Sequence, residues 1–337
     1  MRVGIVGAGI NGLWLAWRLA EKGNDVTVFE KKTTIGKAAC SGLVSERIWD
    51  FIPRRSDMVK NVINKGRVNF PSRTIELDFT PRMLVLDHAE LDRYLAELAT
   101  KAGAKILLGH SFTRLFYHKG KKPQIAVNAS QANEPSVPVK HTHVYEFDVL
   151  IGSDGPHSLV RKQLGFRDPD LRLGVFCYVS KKSSSNTIEV FPHKNGFSWI
   201  IPRGDSLEYG TLEKPDVAKK YFEEFCRSRR IKPKEIMSAM IPHGLTRLSK
   251  GNVVLAGDAI GITKSWSWGG IVWGLTASDL LVDAFPNLGK YSRRVEQQFG
   301  PRMLFSDMAT KSAFWLGFHI PKFMPGKITM DSDWVFE

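Results

Sequence analysis

Three glycines and one acid near the start of the chain have the spacing of a dinucleotide-binding site. Gly7, Gly9 and Gly12 follow a short apolar run, and Glu30 ends the next apolar run. In such a unit the first glycine makes a tight turn, the second lets the backbone approach a pyrophosphate, and the third lets the helix pack on the sheet. The helix that begins there attracts an anion with its N-terminus. The candidate cofactor-binding residues of this unit also include Ile10, Asn11 and Lys31.

The acid at the end of the second apolar run selects among dinucleotides. The Glu30 carboxylate can accept hydrogen bonds from both ribose hydroxyls, and its charge would repel a 2′-phosphate. FAD or NAD is therefore favoured over NADP. An ordinary strand–helix turn is the alternative, but the two flanking apolar runs favour a nucleotide site.

Two further acids follow buried-strand patterns later in the chain. Asp154, next to Gly155, comes after the run 147–151, and Asp258, next to Gly257, comes after the run 252–256. Either acid alone could be an ordinary helix N-cap. Three such junctions in this order are harder to explain by capping alone, so both acids and both glycines are candidate cofactor-binding residues.

The order of these three motifs resembles the FAD-dependent family that shares the para-hydroxybenzoate hydroxylase fold. The resemblance covers about residues 1–290. It implies that the first motif holds ADP and that residues 152–158, with Arg161, lie near the pyrophosphate and the reductant path. It also implies that Asp258 hydrogen-bonds the ribityl chain, which narrows the cofactor to FAD.

Three other stretches resemble the archaeal geranylgeranyl reductases. Residues 36–45 look like their cysteine segment, residues 196–205 like their aromatic-x-Trp-x-aromatic-Pro signature, and residues 269–271 like their glycine pair under the flavin. The resemblance implies FAD-dependent saturation of C=C bonds in a geranylgeranyl or other polyprenyl lipid. The candidate residues that it adds are Lys37, Ala39 and Cys40; Phe197, Trp199 and Pro202; and Gly269, Gly270 and Ile271.

Reducing an unactivated alkene requires a hydride, here from flavin N5, and a proton donor for the neighbouring carbon. Cys40 could be that donor, could shape the flavin edge as a neutral thiol, or could be a small buried hydrophobe. Cys177 and Cys226 fit the buried-hydrophobe interpretation better. Phe197 and Trp199 could line an apolar prenyl tunnel or simply be core residues of an alternating strand.

The sequence departs from the reductase pattern in two places. Leu86, Asp87 and His88 stand where an arginine is common, so His88 is expected to replace a flavin-phosphate contact. Residues 264–268 (Lys-Ser-Trp-Ser-Trp) replace the usual proline and threonine before the glycine pair. Trp266 and Trp268 are candidate substrate-contacting residues for this reason.

Composition limits the other partners of the chain. Of its 337 residues, 48 are Lys or Arg and 34 are Asp or Glu, so a net charge of +14 suits anionic partners such as phosphates or an anionic membrane. The sequence contains no nucleic-acid-binding motif, so nucleic acid is not expected. Three cysteines suit neither a disulfide framework nor a zinc site. With the nucleotide strand starting at Arg2 and no long apolar run, we expect a cytoplasmic protein.

The apolar segment 313–324 leaves two interpretations open. It lies among basic residues, so it could contact a membrane surface peripherally, or it could be buried against the rest of the protein.

Segments typical of a nucleotide-binding domain alternate with antiparallel patterns along the chain. We predict an α/β fold in which a Rossmann-type FAD-binding domain (1–45, 82–165 and 246–290) is interleaved with an antiparallel-sheet substrate domain (46–81 and 166–245). Residues 291–337 are predicted to form a short helical C-terminal tail, and residues 119–140 an exposed hairpin or loop.

Three functions remain open at the level of sequence. A prenyl reductase is favoured by the Cys40 segment. A flavin monooxygenase or halogenase is the first alternative, because residues 197–202 approach the tryptophan-rich motif of flavin halogenases. A flavin-holding lipid-binding protein without turnover is the second. Since there is one nucleotide motif, electrons would come from transiently bound NAD(P)H or from ferredoxin or another carrier protein.

Overall fold

The computed structural model describes residues 1–36, 39–117, 122–129 and 142–333. In chain order its strands are β1 Arg2–Val6, β2 Asp25–Glu30, β3 Leu43–Ser45, β4 Val59–Phe70, β5 Arg73–Leu86, β6 Lys105–Leu108, β7 His110–Tyr117, β8 Pro123–Ala129, β9 Thr142–Glu146, β10 Val149–Gly152, β11 Asp170–Ser183, β12 Thr187–His193, β13 Gly196–Pro202, β14 Gly204–Glu213, β15 Met237–His243, β16 Ser249–Lys250, β17 Val253–Leu255 and β18 Lys327–Met330. The α-helices are α1 Ile10–Glu21, α2 His88–Lys101, α3 Leu159–Gln163, α4 Ala218–Ser228, α5 Ile271–Ala284 and α6 Leu288–His319. Short 3-10 helices occur at Glu46–Asp50, Ser56–Met58, Gly257–Ile260 and Pro321–Phe323.

The nucleotide motifs lie along one largely parallel sheet. Within the described residues its six strands have the order β16-β17-β10-β1-β2-β6, and β16 is its antiparallel edge. The three strands that precede the sequence motifs, β1, β10 and β17, are therefore adjacent. Because parallel strands end at the same edge of a sheet, the loops after them meet there, which is where open α/β sheets bind ligands.

A second, mostly antiparallel sheet forms the other layer. Its order is β15-β11-β14-β13-β12-β4-β5-β18, with β3 paired to β5. Helix α4 covers one face, where Cys177 and Tyr209 pack with Phe222 and Phe225. Side chains alternate between the faces of a strand, so the opposite face carries a separate apolar cluster that includes Met83 and Ile201.

The predicted α/β fold with a Rossmann-type unit and an antiparallel sheet is confirmed, with differences in detail. Strand β5 continues to Leu86, where it still pairs with β4. A five-residue 3-10 helix follows β3. Strand β8 begins within the expected loop 119–140, most of which lies outside the described residues. The domain boundaries stay a prediction.

The C-terminal tail is more extensive than the short helix expected. Helix α6 has 32 residues, and β18 then adds a parallel strand beside β5. Phe314 and Phe318 of α6 pack edge-on against Phe70 of the β4–β5 hairpin. Apolar contact with the hairpin therefore holds the far half of the helix against the second sheet.

Candidate active site

The three glycines of the first motif differ in how closely they are packed. A Cβ on Gly7 would lie 2.3 Å from the Ser153 carbonyl oxygen, and one on Gly12 would lie 2.1 Å from the Gly7 carbonyl oxygen. Gly7 also has φ +102°, which side chains rarely adopt. A Cβ on Gly9 would meet nothing within 4 Å. Gly7 and Gly12 are therefore required by the fold, whereas Gly9 leaves open space at the start of α1.

Glu30 lies beside this loop. Its Oε2 accepts a hydrogen bond of 2.9 Å from the Ala8 N–H, and its Oε1 accepts one of 2.9 Å from the Lys32 N–H. Gly9, the N-cap of α1, offers no side-chain cap, and the first N–H groups of a helix have no intrahelical acceptor. The arrangement leaves a helix N-terminus for an anion and a carboxylate next to it. The neighbouring Lys31 is exposed.

The side chain of Asn11 points into the protein. It accepts a hydrogen bond of 3.1 Å from Ser278 Oγ on α5. A Cβ on Gly257 or Gly274 would come within 2.8–2.9 Å of the Asn11 side chain, so both glycines make room for it. Asn11 therefore ties α1 to α5 and to the third motif, while its backbone N–H stays at the helix start with that of Ile10.

Asp154 caps a helix. Its Oδ1 accepts from Ser158 Oγ at 2.5 Å, and its Oδ2 accepts from the backbone N–H groups of Leu159 and Val160 at 2.7 and 3.2 Å. Burial raises the pKa of the Asp154 carboxyl, and these hydrogen bonds oppose that rise. Asp154 thus has the helix-capping role that the sequence left open as an alternative. Gly155, with φ +81° and open space at its Cβ position, lies at the same loop.

Arg161, fully buried, fastens the second motif to the third. Its guanidinium donates to Asp168 Oδ1 at 2.6 and 2.9 Å and to the Pro156 carbonyl at 2.7 Å. It also donates to the carbonyl of Ala259, next to Asp258, at 2.9 Å. This cation therefore sets the spacing between two of the motifs.

Asp258 and the glycine pair come together at the start of α5. Gly270 is the N-cap of α5 without a side-chain cap, and Ile271 is the first helical residue. A Cβ on Gly270 would lie 3.8 Å from Asp258 Oδ1 and 2.9 Å from Thr263 Cγ2. A second helix N-terminus is thus placed beside the acid of the third motif.

Lys264 lies next to Gly269 and is engaged with the end of the described chain. A Cβ on Gly269 would be 3.6 Å from Lys264 Nζ. The buried ammonium donates to Asp333 Oδ1 and to the Ser332 carbonyl, both at 2.9 Å. Asp333 is fully buried and also accepts from Ser45 Oγ.

The two tryptophans of the 264–268 segment have different neighbours. Trp266 lies edge-on to Trp273 of α5, with 6.2 Å between ring centroids. Trp268 has φ +56° and lies 5.0 Å from the His243 ring, with the Arg172 guanidinium 5.5 Å from its own ring. These contacts are separate from the Phe197–Trp199 pair.

Cys40 lies half-buried in a turn whose geometry is closely fixed; Ala39 precedes it, and Lys37 lies outside the described residues. The Gly42 N–H donates to Cys40 Sγ at 3.4 Å. Gly42 has φ +66°, and its Cβ would lie 2.0 Å from the Leu86 carbonyl oxygen. The Arg203 guanidinium donates to the Ser41 carbonyl and holds the turn against the second sheet.

Trp199 lies on the face of the second sheet opposite α4. Its ring centroid is 6.0 Å from that of Phe197, and its Nε1–H donates to Glu208 Oε1 at 2.8 Å. A Cβ on Gly210 would lie 2.2 Å from the Trp199 ring, so the indole occupies the space above that glycine. Pro202 is buried at the end of β13.

The sequence analysis missed Glu208 and Arg203, which join these features. Glu208 Oε2 accepts from Arg203 Nη1 at 3.2 Å, and the Arg203 guanidinium lies 4.9 Å from the Tyr178 ring. Burial raises the pKa of Glu208 to about 7, and the neighbouring Arg203 opposes the rise. Burial, with Glu208, raises the pKa of Tyr178 to about 12. No signal within β14 singles out Glu208, because the strand also contains Asp205 and Glu213.

Arg93 is another residue that the sequence analysis missed. A Cβ on Gly36 would lie 3.3 Å from Arg93 Nη1, so this guanidinium reaches the turn that follows Glu30. His88, expected to replace an arginine, is buried with its Nε2 3.5 Å from Asp92 Oδ1. Within α2, Arg93 rather than His88 is therefore the residue whose side chain contacts this turn.

Two cavities are present in the described structure. One of about 310 Å³ is walled by Trp14, Trp17 and Trp49, among others. The other, about 450 Å³, lies between residues 165–170 and 243–247. The lining of these two cavities contains none of the predicted site residues.

The described residues suit FAD. The open space at Gly9, the uncapped N-terminus of α1 and the Glu30 carboxylate match a pyrophosphate and an adjacent ribose. The uncapped start of α5 beside Asp258 matches a polar, electron-rich ring edge. The two sites lie at the same edge of the parallel sheet.

Comparisons with known proteins place the chain in a class. The family described as FAD dependent oxidoreductase matches residues 2–63. A geranylgeranyl bacteriochlorophyll reductase-like protein of Thermoplasma acidophilum has the same fold, with a TM-score of 0.81 at 19% identity over 93% of this chain and 87% of that one. A myxobacterial chondrochloren halogenase also shares the fold, with a TM-score of 0.72 at 12% identity over 95% and 83%. The chain is an FAD-dependent oxidoreductase.

Sequence relatives narrow the class. Digeranylgeranylglycerophospholipid reductase 1 of Methanopyrus kandleri is 24% identical over 88% of this chain and 86% of the relative. Geranylgeranyl diphosphate reductase of Oryza sativa subsp. japonica is 26% identical over 84% and 66%. The predicted resemblance to the geranylgeranyl reductase flavoproteins is confirmed.

Proposed function

We propose that the chain is an FAD-dependent reductase that saturates C=C bonds of a geranylgeranyl or other polyprenyl lipid. The observation that carries the proposal is the Cys40 turn, which Arg203 holds against an apolar sheet face bearing Trp199. The names of the sequence relatives support the same substrate class. We further propose that the six-stranded layer holds FAD and the nine-stranded layer holds the lipid.

The residues divide the work of such a reaction. Bound and reduced FAD would supply the hydride. The glycine loop, Glu30 and Arg93 would bind the ADP half, and Asp258 with Gly270 would bind the flavin end. Cys40 would give a proton to the carbon next to the hydride acceptor. A general acid of this kind typically raises the rate by about 10²- to 10⁴-fold.

The sheet face suits a long apolar chain. Leu43 and Trp199 are only partly buried and border a buried apolar cluster of Met83, Val85 and Ile201. A prenyl group laid against these two side chains would lose its contact with water. Trp199 presents its ring to this surface while its one polar atom is satisfied by Glu208. The face therefore offers apolar area without an unpaired indole N–H.

One observation bears on the halogenase alternative. A halogenase would use a lysine amine near the substrate, and Lys264 is the lysine beside the glycine pair. Its ammonium is held by Asp333 and Ser332 in a buried ion pair. Lys264 therefore supports the segment before α5, which favours reduction over halogenation.

The reaction is tested by anaerobic incubation of the purified protein and FAD with a geranylgeranylated lipid and dithionite, followed by mass analysis. A gain of two hydrogens per double bond is expected. Cys40→Ala should lose turnover and keep its FAD, whereas the control Cys226→Ala, altered in the buried cluster under α4, should keep both. Oxygen-dependent gain of oxygen or halogen without hydrogenation would contradict the proposal, and lipid binding without conversion would favour the non-catalytic alternative.

The physiological electron source is proposed to be NAD(P)H or ferredoxin. Replacing dithionite by each donor in the same assay identifies which one supports turnover.

We also propose that α6 contacts an anionic membrane. No helix in the described part of the chain is long and apolar enough to span one. Leu304, Met308 and Trp315 are nevertheless each more than half exposed and lie on one side of α6, with Phe305 beside them and Phe323 just beyond. Lys311 lies on the same side, and Lys322 follows the helix. An apolar stripe with basic residues is typical of helices that lie in a membrane interface.

Vesicle sedimentation tests this contact. The protein should bind vesicles containing phosphatidylglycerol, and binding should fall at high salt. Met308→Ser with Trp315→Ser should weaken binding at least tenfold, while the equally exposed control Ile236→Ser should not. Equal binding by all three proteins would contradict the assignment.

A further inference from the structure

A fully buried acid lies in the middle of the substrate sheet. Glu208 is on β14, directly opposite Tyr178 of β11 and Ile201 of β13. Directly paired residues project to the same face of a sheet. Glu208 therefore shares the face that carries Trp199, and Arg203 connects it to the turn that carries Cys40.

Arg203, Trp199 and Cys40 act on this carboxyl. Arg203 Nη1 donates both to Glu208 Oε2 and to the Ser41 carbonyl, so one guanidinium links the acid to the residue after Cys40. Cys40 itself acts electrostatically on Glu208 and on Tyr178, and Asp87 acts on Tyr178.

The bond from Trp199 does not by itself require an acid here. A glutamine would supply a carbonyl-type acceptor equally well, whereas pairing with the Arg203 guanidinium uses the carboxylate. Burying a carboxylate is costly unless it is well paired. Burial raises the pKa of Glu208 to about 7, so near neutral pH the group exchanges a proton readily.

We propose that Glu208 is the proton-holding residue that keeps Cys40 protonated between turnovers. The inference rests on the proposed function. Bound and reduced FAD would supply a hydride, with two electrons, to one alkene carbon. The second carbon would take the proton of Cys40, whose S–H bond breaks. The Glu208 O–H bond then breaks and a new S–H bond forms, directly or through one water molecule. The resulting carboxylate is held by Arg203 and Trp199 until water reprotonates it.

The effect of Glu208 on Cys40 can be measured without the reaction, through the reactivity of the Cys40 thiol. The rate at which iodoacetamide alkylates Cys40 is measured from pH 5 to pH 9 in the absence of lipid. Ionised Glu208 disfavours the neighbouring thiolate, so the wild-type profile should show an added inflection near pH 7 and up to about tenfold slower alkylation above it. Glu208→Gln should remove that inflection. The control Glu213→Gln, also fully buried but on the opposite face, should retain it.

Turnover gives the second readout. Glu208→Gln should keep FAD and lower the rate of bond reduction about 10- to 100-fold, and the remaining rate should lose its fall above pH 7. A wild-type alkylation profile without an inflection between pH 6 and 8 overturns the proposal even where the variant fails to fold. An unchanged pH–rate profile in Glu208→Gln also overturns it. If no bond reduction occurs but the inflection disappears in the variant, the proposed function fails while the Glu208–Cys40 coupling stands.

Discussion

Gly210→Ala is predicted to disorganise the substrate face through a single methyl group. The new Cβ would lie 2.2 Å from Cζ2 and 2.3 Å from Cε2 of Trp199, far inside contact distance. The indole is rigid, so it has to swing away from β14. Doing so breaks the 2.8 Å hydrogen bond from its Nε1 to Glu208.

The expected cost has two parts. Overpacking a closely fitted side chain typically costs about 1–3 kcal/mol. Losing a hydrogen bond to a buried, partly ionised carboxyl costs about 1–3 kcal/mol more. The free energy of unfolding should therefore fall by about 2–6 kcal/mol.

Urea denaturation of the FAD-bound protein measures this change. Gly174→Ala is the matched control, because it lies in the same sheet and its Cβ would meet its nearest neighbour at 3.6 Å, an ordinary contact. Its effect should stay within about 0.5 kcal/mol. Gly210→Ala should cost much less in a Trp199→Leu background, which removes the clash. Equal stabilities of the two glycine variants would refute the reasoning.

Three other predictions follow from named contacts. Gly12→Ala should fail to fold or lose FAD, whereas Gly9→Ala should fold and bind FAD about tenfold more weakly, as flavin absorbance after dialysis would measure. Asp333→Asn should lower the free energy of unfolding by about 3 kcal/mol by stranding the buried Lys264 ammonium, and adding Lys264→Met should recover part of that loss in the same denaturation assay. Because the pKa of Glu208 is about 7 in the folded protein and 4.5 in the unfolded chain, the folded state binds more protons between these values. Glu208 should therefore contribute a fall of about 3 kcal/mol in the free energy of unfolding from pH 4 to pH 8, and Glu208→Gln should remove that contribution from the profile.

The sequence was sufficient for the nucleotide unit because its constraints are local. Gly12 is required by the carbonyl of Gly7 in the same turn, and the run–turn–helix pattern predicted α1 and β2 closely. Such features depend on short-range geometry that a single sequence displays.

The rest depends on pairings between distant residues. Arg203 meets the Ser41 carbonyl 162 residues away, and no local pattern marks that contact. The same holds for Arg93 of α2, whose guanidinium lies beside Gly36. The acid Glu208 was visible in β14, but its partners Trp199 and Tyr178 become neighbours only through sheet register.

The buried anchor at Asp333 has a consequence for how the protein is made. Ser45 and Asp333 are hydrogen-bonded across 288 positions, and β18 joins β5 just before that contact. On a ribosome, the N-terminal βαβ unit can form early, since domains fold as synthesis proceeds. The buried contacts of Asp333 with Ser45 and Lys264 have to wait until residue 333 has emerged. Nascent chains should therefore form the first βαβ unit before they can form this anchor.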